Sequence, residues 1–508
     1  MHLNLKFRRS TGAFLMAFLP FLSKGMNANA ADVSVNLTAT KQEIDGFGAS
    51  SAWCGKISDN VMNVLYGDLG FSILRVRIEE GIEENWKTGN FSKWGDELAN
   101  AKKAMAKGAI VFATPWNAPA SLRLNTGTAS AKYSTDPAKW ATYRDYLNAY
   151  VKYFKDNNAP LHAIAVQNEP DYAKDWTYWS ATQIHDFITS YGATINTRLI
   201  SAESFNYSKS LYDQILNDPK ALANVSILGM HLYGTSVNNF AYPLFESKGR
   251  PAGKKLWMTE HYIGEKETDQ GPANTVAIGK EIHDCMVTGN MSGYTYWWIT
   301  WPNGLATGSG TIYQRAYAIG QFSKHIRPGY FRVDATPTPA TNVHTSAYSG
   351  DGKVVIVAVN TGTSAVNQKF AIQNGTVAQF ATWQTASGKN MVAGSAAQVS
   401  GGSFTASLPA QSITTFVGAR TDKVPTKIEL QTRIDNNFKA EVSNGHLVIS
   451  PASFNDTYSF VVFSPNGTKS AIRSENRGIS RMPVRANGML VVRITTNGKT
   501  EQKLVPSF

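Results

Sequence analysis

Cysteine is scarce in this chain. Cys54 and Cys285 are the only two in 508 residues. They lie far apart in no metal-type spacing, which excludes a small disulfide-stapled scaffold and a thiolate zinc cluster. The sequence leaves open whether they pair or stay two buried thiols. Histidine numbers nine, with no HxxxH pair, and there is no phosphate-binding glycine loop. Neither a metal nor a cofactor is expected. Charge is thin too, at 17% of residues against roughly 25% in an average soluble domain. The formal charge of +12 is unevenly placed: residues 1–30 hold Lys6, Arg8, Arg9 and Lys24 and no acid, and from Thr421 onward twelve basic residues face seven acidic ones. The main body is therefore close to neutral, which argues against nucleic acid as a partner. Beyond the first residues no stretch is apolar enough for long enough to span a membrane.

Aromatic residues, by contrast, are plentiful: 12 Trp and 21 Tyr. That suits a folded protein with an aromatic-rich surface site. The length calls for two or three domains. Residues 1–30 read as a signal peptide. They have a basic start, a short apolar run over 13–22 and the small-x-small signal Ala28-Asn29-Ala30, with cleavage after Ala30. The expected location is therefore secreted or cell-surface.

Between 46 and 327 short β-like runs alternate with helix-like segments. The runs are ILRVRI (73–78), AIVFATPW (109–116), HAIAVQNE (162–169), LISAES (199–204), ILGMHLYG (227–234), KLWMTEHY (255–262) and GYTYWWITW (293–301), with a weaker one at IDGFG (44–48). Several are apolar throughout, as buried parallel strands are. Strand and helix repeated about eight times predict an α/β fold, a (β/α)8 TIM barrel. From 328 to 419 strands alternate with Gly/Asn turns, predicting a fused β-sandwich, which the strand-like residues 31–45 can join. After a charged, proline-containing junction, 425–508 reads as a small all-β C-terminal domain.

Polar and aromatic residues collect at the C-terminal ends of the barrel runs, where this fold carries active sites. They include Arg75, Trp116, Asn168 with Glu169, Glu203, His231 with Tyr233, Glu260 with Tyr262, and Trp297, Trp298 and Trp301. The stretch IAVQNEPDY sets Glu169 before a proline that cannot continue a strand, so Pro170 is expected to end the strand with Glu169 on the rim. A lone strand-end glutamate is most simply a helix cap or a rim ion pair. Two of them, Glu169 and Glu260, among tryptophans have the composition of a glycosidase: one protonated carboxyl to aid the leaving group, and one carboxylate to attack the anomeric carbon or activate water. His261 and Tyr262 are placed to orient Glu260, and Asn168 to donate to a sugar hydroxyl. Glu203 is assigned a structural role.

VQNEPDY, LWMTEHY, ILGMHLYG, FATPWNAPAS, LGFSILRVRI, SAESFNY and FSKHIRPGYFRVDAT together resemble glycoside hydrolase family 30, in particular its bacterial subfamily 8 of glucuronoxylanases and xylanases, over about 32–418. The resemblance implies a retaining endo-β-1,4-xylanase acting on xylan. Glu169 matches the acid/base and Glu260 the nucleophile. Trp116, Asn168, Tyr172 and Tyr233 match positions lining sugar subsites, and Arg75 an arginine near the nucleophile. Tyr262, Trp297, Trp298 and Trp301 complete the expected substrate surface.

One departure stands out. Glucuronoxylanases of the subfamily carry a loop of the type WWYIRRSYG, whose second arginine holds the glucuronate branch of xylan bidentately. Here the aligned stretch is YWWITWPNG: Thr300 and Trp301 replace the arginines, Asn303 replaces the tyrosine, and Glu265 replaces a serine after the nucleophile strand. The expectation is a xylanase independent of glucuronate branches, with Trp301 stacking on a bare xylose or standing as a rim residue. The alternatives are a glucuronoxylanase that needs the branch, a retaining hydrolase of another β-linked glycan, and a non-catalytic glycan-binding barrel. The tail NGMLVVRITTNGKTEQKLV resembles C-terminal sorting or surface-attachment β-domains of secreted enzymes, which would make secretion machinery or a cell surface its partner. A carbohydrate-binding module or a basic β-module for acidic surfaces are the other readings.

Overall fold

A computed structural model describes residues 31–422, except 79–84, 90, 129–130, 173 and 265–269, together with strands between 438 and 507. Eight parallel strands close into a barrel in chain order: Gly46–Ser50, Ile73–Ile78, Ile110–Pro115, Ala163–Ala165, Arg198–Ser204, Ile227–His231, Lys255–Glu260 and Gly293–Tyr296. Each expected run supplies one strand. Their apolar continuity has a plain cause: both faces are covered. Ile73, Phe112, Ala163, Ala165, Ile200, Ile227 and Trp257 fill the barrel interior, and the outward side chains meet the helices. The first two strands approach so closely that a Cβ on Gly48 would overlap the Ile73 carbonyl; only glycine fits there.

Helix Trp140–Asp156 shows how the outer layer forms. Tyr143, Tyr146, Leu147, Tyr150, Val151 and Phe154 recur at helical spacing and are all buried, each stabilising the packing by about 1.5–3 kcal/mol before entropy is counted. Helix Ala181–Tyr191 opens on a capping box between Ser180 and Gln183, satisfying two backbone donors at its start. Helix Gly95–Met105 is followed by Gly108 at φ +87°.

The side domain is a nine-stranded β-structure. Strand Val33–Glu43 joins it, antiparallel to Phe331–Ala335 and parallel to Val366–Gln373. Its alternating burial sends Val33, Val35 and Leu37 into a core shared with Phe370, Phe380, Phe404 and Phe416. Val355, Val357, Val359 and Ile413 belong instead to the core beneath the barrel helices, so the sandwich and barrel are continuous. The chain divides into two compact units, 1–422 and 423–508. The second contains a three-stranded and a four-stranded sheet around Leu447, Ile449, Phe460, Val462, Leu490 and Val492. The start of the expected all-β C-terminal domain, 425–437, lies outside the described residues.

Two local features depart from expectation. Pairing in the fourth barrel strand stops at Ala165, four residues before Glu169, so Pro170 does not end it. The chain instead continues irregularly between its two neighbouring strands: the Asn168 N–H donates to the Pro115 carbonyl of the third strand at 2.8 Å and the Glu169 N–H to the Glu203 carbonyl of the fifth at 3.0 Å. Between the third strand and helix Trp140–Asp156, strands Arg123–Thr128 and Ala131–Thr135 form a hairpin, and Thr177–Tyr178 pairs with it. This small sheet fixes the loop after Glu169.

Candidate active site

The barrel interior places Arg75 at the base of the site. It lies in the second strand, wholly buried. Its guanidinium donates to Glu260 Oε2, to Asn168 Oδ1 at 2.8 Å and to Thr114 Oγ1 at 3.2 Å, and pairs with Glu203 at 3.2 Å. It also lies 4.6 Å from the centre of the Trp116 ring. Burial alone would depress its pKa, but Glu203 and Glu260 outweigh that and raise it. Arg75 is thus a fixed charge from which the carboxylates are hung.

Glu260 ends the seventh strand. The Tyr233 hydroxyl donates to its Oε1 at 2.9 Å, so Arg75 and Tyr233 hold its two oxygens. The expected orienting residue His261 turns away: its Nδ1 faces Glu281 at 2.5 Å. The cause is side-chain direction, since neighbours along a strand point to opposite sides. Glu169 receives Trp176 Nε1–H at 3.0 Å and lies 2.9 Å from His231 Nδ1. Burial raises the Glu169 pKa; the His231 hydrogen bond opposes this and the Glu260 charge adds to it. His231 is pushed up to about 9, because the surrounding carboxylates, Glu260 foremost, overcome the effect of burial. Beneath them Glu203 accepts from Thr114 at 2.9 Å. Burial would raise its pKa, but Arg75 and then His231 bring it below the ordinary range.

An oxygen of Glu169, one of Glu260 and a ring nitrogen of His231 all lie within 4.8 Å of one another. Such a trio could in principle hold a metal ion. Here Arg75 and the raised pKa of His231 already supply the positive charge that the carboxylates demand, and a cation would have to displace them. Glu169 and Glu203 adopt positive φ, +42° and +52°, a region that costs a non-glycine residue about 1–3 kcal/mol. The barrel packing sustains that strain to aim both side chains.

Around the carboxylates opens a cleft of about 600 Å³. On one flank Trp53, Trp116, Trp297 and Trp298 form a cluster, with Trp297 and Trp298 stacked at 4.3 Å and Trp301 continuing the row 4.6 Å from Trp298. On the other, Tyr172 stacks on Phe205 at 4.6 Å and Phe205 on Tyr233 at 5.1 Å. Tyr262 closes the side near Tyr233. Asn168 is wholly buried, its Oδ1 accepting from Arg75 and its Nδ2 without a hydrogen-bond partner. Of the residues expected from the sequence, Trp116, Glu169, Tyr172, Tyr233, Glu260, Tyr262, Trp297, Trp298 and Trp301 line this cleft, with Arg75 and Asn168 buried beside the carboxyls; His261 is not among them. Those not expected in the binding surface are Trp53, Trp176 and Phe205. Trp53 follows the first strand closely enough for the strand-end pattern to have flagged it; Trp176 is brought in only by the Thr177 pairing. His231 was legible as a strand-end residue but not as a partner of Glu169. Glu265 lies outside the described residues. Cys54 and Cys285 are both unbridged.

Two carboxyl groups thus stand together in one aromatic-lined cleft. Comparison with known proteins gives the family of the chain. The family descriptions that match are cellulase (glycosyl hydrolase family 5) over 37–266 and the glycosyl hydrolase family 30 beta sandwich domain over 329–416. Glucuronoxylanase XynC of Bacillus subtilis (strain 168) is 45% identical over 403 residues, covering 76% of this chain and 92% of that protein. The chain belongs to glycoside hydrolase family 30. Among solved structures of the family, a GH30 endoxylanase from Clostridium papyrosolvens C71 is 62% identical, with TM-score 0.74, over 77% of this chain and all of that one. The subfamily 8 xylanase Xyn30A of Clostridium acetobutylicum is 48% identical, with TM-score 0.72, over 76% of this chain and 99% of that one. This family 30 member is thus a glycoside hydrolase, and its first unit is where the likeness lies.

Proposed function

We propose that the protein is an endo-β-1,4-xylanase that cleaves xylan with retention and needs no glucuronate branch. Glu169 acts as acid/base and Glu260 as nucleophile. The carboxyl oxygens within 4.8 Å support retention, which uses carboxyls about 5–5.5 Å apart rather than about 6.5–9.5 Å. The raised pKa of Glu169 keeps a proton ready for the leaving oxygen. Attack by Glu260 converts it to a glycosyl ester and removes its negative charge. One of the causes raising Glu169 then disappears, so Glu169 is better ionised to take a proton from the incoming water. Arg75 and Tyr233 aim the nucleophile; His231 and Trp176 aim the acid.

The observation that carries branch independence is Trp301, in place of the family's arginine. It is 45% exposed on the cleft rim, and none of the described residues lining the cleft is Lys or Arg. An aromatic face offers a neutral sugar ring a platform, but offers a carboxylate nothing. A second reading, dependence on the branch, is favoured by the relative from Bacillus subtilis, a glucuronoxylanase. Product analysis of linear xylo-oligosaccharides beside glucuronoxylan, with Glu260→Gln as control, separates the two. Similar rates on both support branch independence; cleavage of glucuronoxylan alone overturns it; cleavage of neither moves the substrate away from xylan. Export by the signal peptide, and a sorting or attachment role for the C-terminal unit, are part of the same proposal.

A further inference from the structure

Beside the cleft lies a second cavity of about 280 Å³, lined by Thr300, Trp301, Pro302, Thr307, Gly308 and Tyr313. Trp301 is the wall it shares with the cleft. The loop around it is preformed. The Gly304 N–H donates to the Trp301 carbonyl at 2.8 Å, the Leu305 N–H to the Ile299 carbonyl at 2.9 Å and the Thr307 N–H to the Thr311 carbonyl at 2.9 Å. The Thr300 N–H reaches Cys54 Sγ at 3.4 Å. The volume falls just under the roughly 300–1,000 Å³ of a drug-sized ligand site, so it suits a single small unit. None of its six residues is charged, and they mix hydroxyls with apolar surface.

We propose that this cavity receives a neutral pentose branch, such as an arabinofuranosyl unit, carried by the xylosyl residue that stacks on Trp301. The inference rests on the reading of the cleft as a xylanase site that needs no glucuronate. Substituents at O2 or O3 of a xylopyranose are equatorial. They leave the ring in its own plane, so a branch on a ring lying against the indole projects past the indole edge toward the cavity. A carboxylate placed there would lose water without meeting a cation among these six residues; a neutral sugar exchanges its hydration for hydroxyl contacts and apolar surface. Trp301 follows the eighth strand, which neighbours the Glu260 strand, on the flank opposite the Tyr172–Phe205 stack that adjoins Glu169. That is the glycone side, so products should keep the branch near their new reducing end.

The test uses the full chain on linear xylan and on arabinoxylan, with products sequenced by mass spectrometry and NMR. The expected result is cleavage of both, with arabinose retained on the products within a few residues of the reducing end. Gly308→Trp fills the cavity. A Cβ at Gly308 meets nothing within 4 Å and its φ is not positive, so the backbone accepts the change. The ratio of kcat/KM on arabinoxylan to that on linear xylan should fall by about tenfold or more, the scale on which the shape of a pocket discriminates between substrates. Branches found only far from the cleavage point, or an unchanged ratio in Gly308→Trp, overturn the inference while leaving the cleft reading intact. Failure on linear xylan with activity on glucuronoxylan instead overturns the reading beneath it. If Gly308→Trp does not fold, the wild-type product map decides alone.

Discussion

Replacing Trp301 by arginine should turn the enzyme toward glucuronate-branched xylan, and the size of the turn can be worked out. A charge-assisted, bidentate pair with a carboxylate contributes about 1.5–3 kcal/mol when shielded from water. Position 301 is 45% exposed, so water and salt screen the new pair toward the lower end, about 1 kcal/mol. The same change removes the indole face, costing a bare sugar ring a further ~0.5–1.5 kcal/mol of stacking. That loss falls on the xylosyl ring of either substrate and cancels in their ratio. The ratio of kcat/KM on glucuronoxylan to that on linear xylo-oligosaccharide should therefore rise by about 1 kcal/mol, roughly fivefold. The assay is initial-rate kinetics on both substrates at low and high salt, with Trp301→Ala reporting the stacking alone. The gain on glucuronoxylan should shrink as salt rises. A ratio unchanged within about twofold in Trp301→Arg would refute the assignment of branch preference to this position, and a gain insensitive to salt would refute its electrostatic origin.

Three other outcomes follow from the site. Glu169→Gln should lower kcat on xylan by about 10²–10⁴, the usual worth of general acid catalysis, and much less on an aryl xyloside whose leaving group needs no proton; equal losses on both would remove Glu169 from the acid role. His231→Gln keeps a hydrogen-bond donor beside Glu169 but removes the cation that lowers its pKa. The Glu169 pKa then rises further, the acid stays protonated to higher pH, and the alkaline limb of the kcat/KM profile moves up; a downward shift would contradict this sign. Arg75→Met leaves Glu203 buried beside Glu260 without its counter-charge, which should destabilise the fold by about 3–5 kcal/mol, seen as a lower midpoint in urea at neutral pH. Stability partly restored by protonation at lower pH would support the cause, and an unchanged midpoint would exclude it.

Much of the site was legible in the chain because a barrel converts sequence position into spatial position. A side chain at the C-terminal end of any strand faces the same mouth, so recognising eight strands is enough to bring together Trp116, Glu169, Tyr233, Glu260 and the tryptophans 297, 298 and 301, while Arg75 reaches them from midway along the second strand. The partners within that group were not legible. Sequence adjacency suggested His261 for Glu260, whereas the actual partners, Arg75 and Tyr233, come from the second strand and from just past the sixth. Trp176 joins Glu169 only because a hairpin captures Thr177.

By itself, then, the amino-acid pattern determined the repeat of strand and helix, the strand-rich stretch that follows it, and the rim on which the carboxyls stand. Those follow from local periodicity and turn residues, which short windows of sequence contain. Tertiary structure alone decided the irregular course after Ala165, the strained φ of Glu169 and Glu203, the burial that raises Glu169, and the ionic network that raises His231 while lowering Glu203. Each depends on distances between residues remote in the chain. Electrostatic energies change with every ångström of such a distance and with the water that packing excludes.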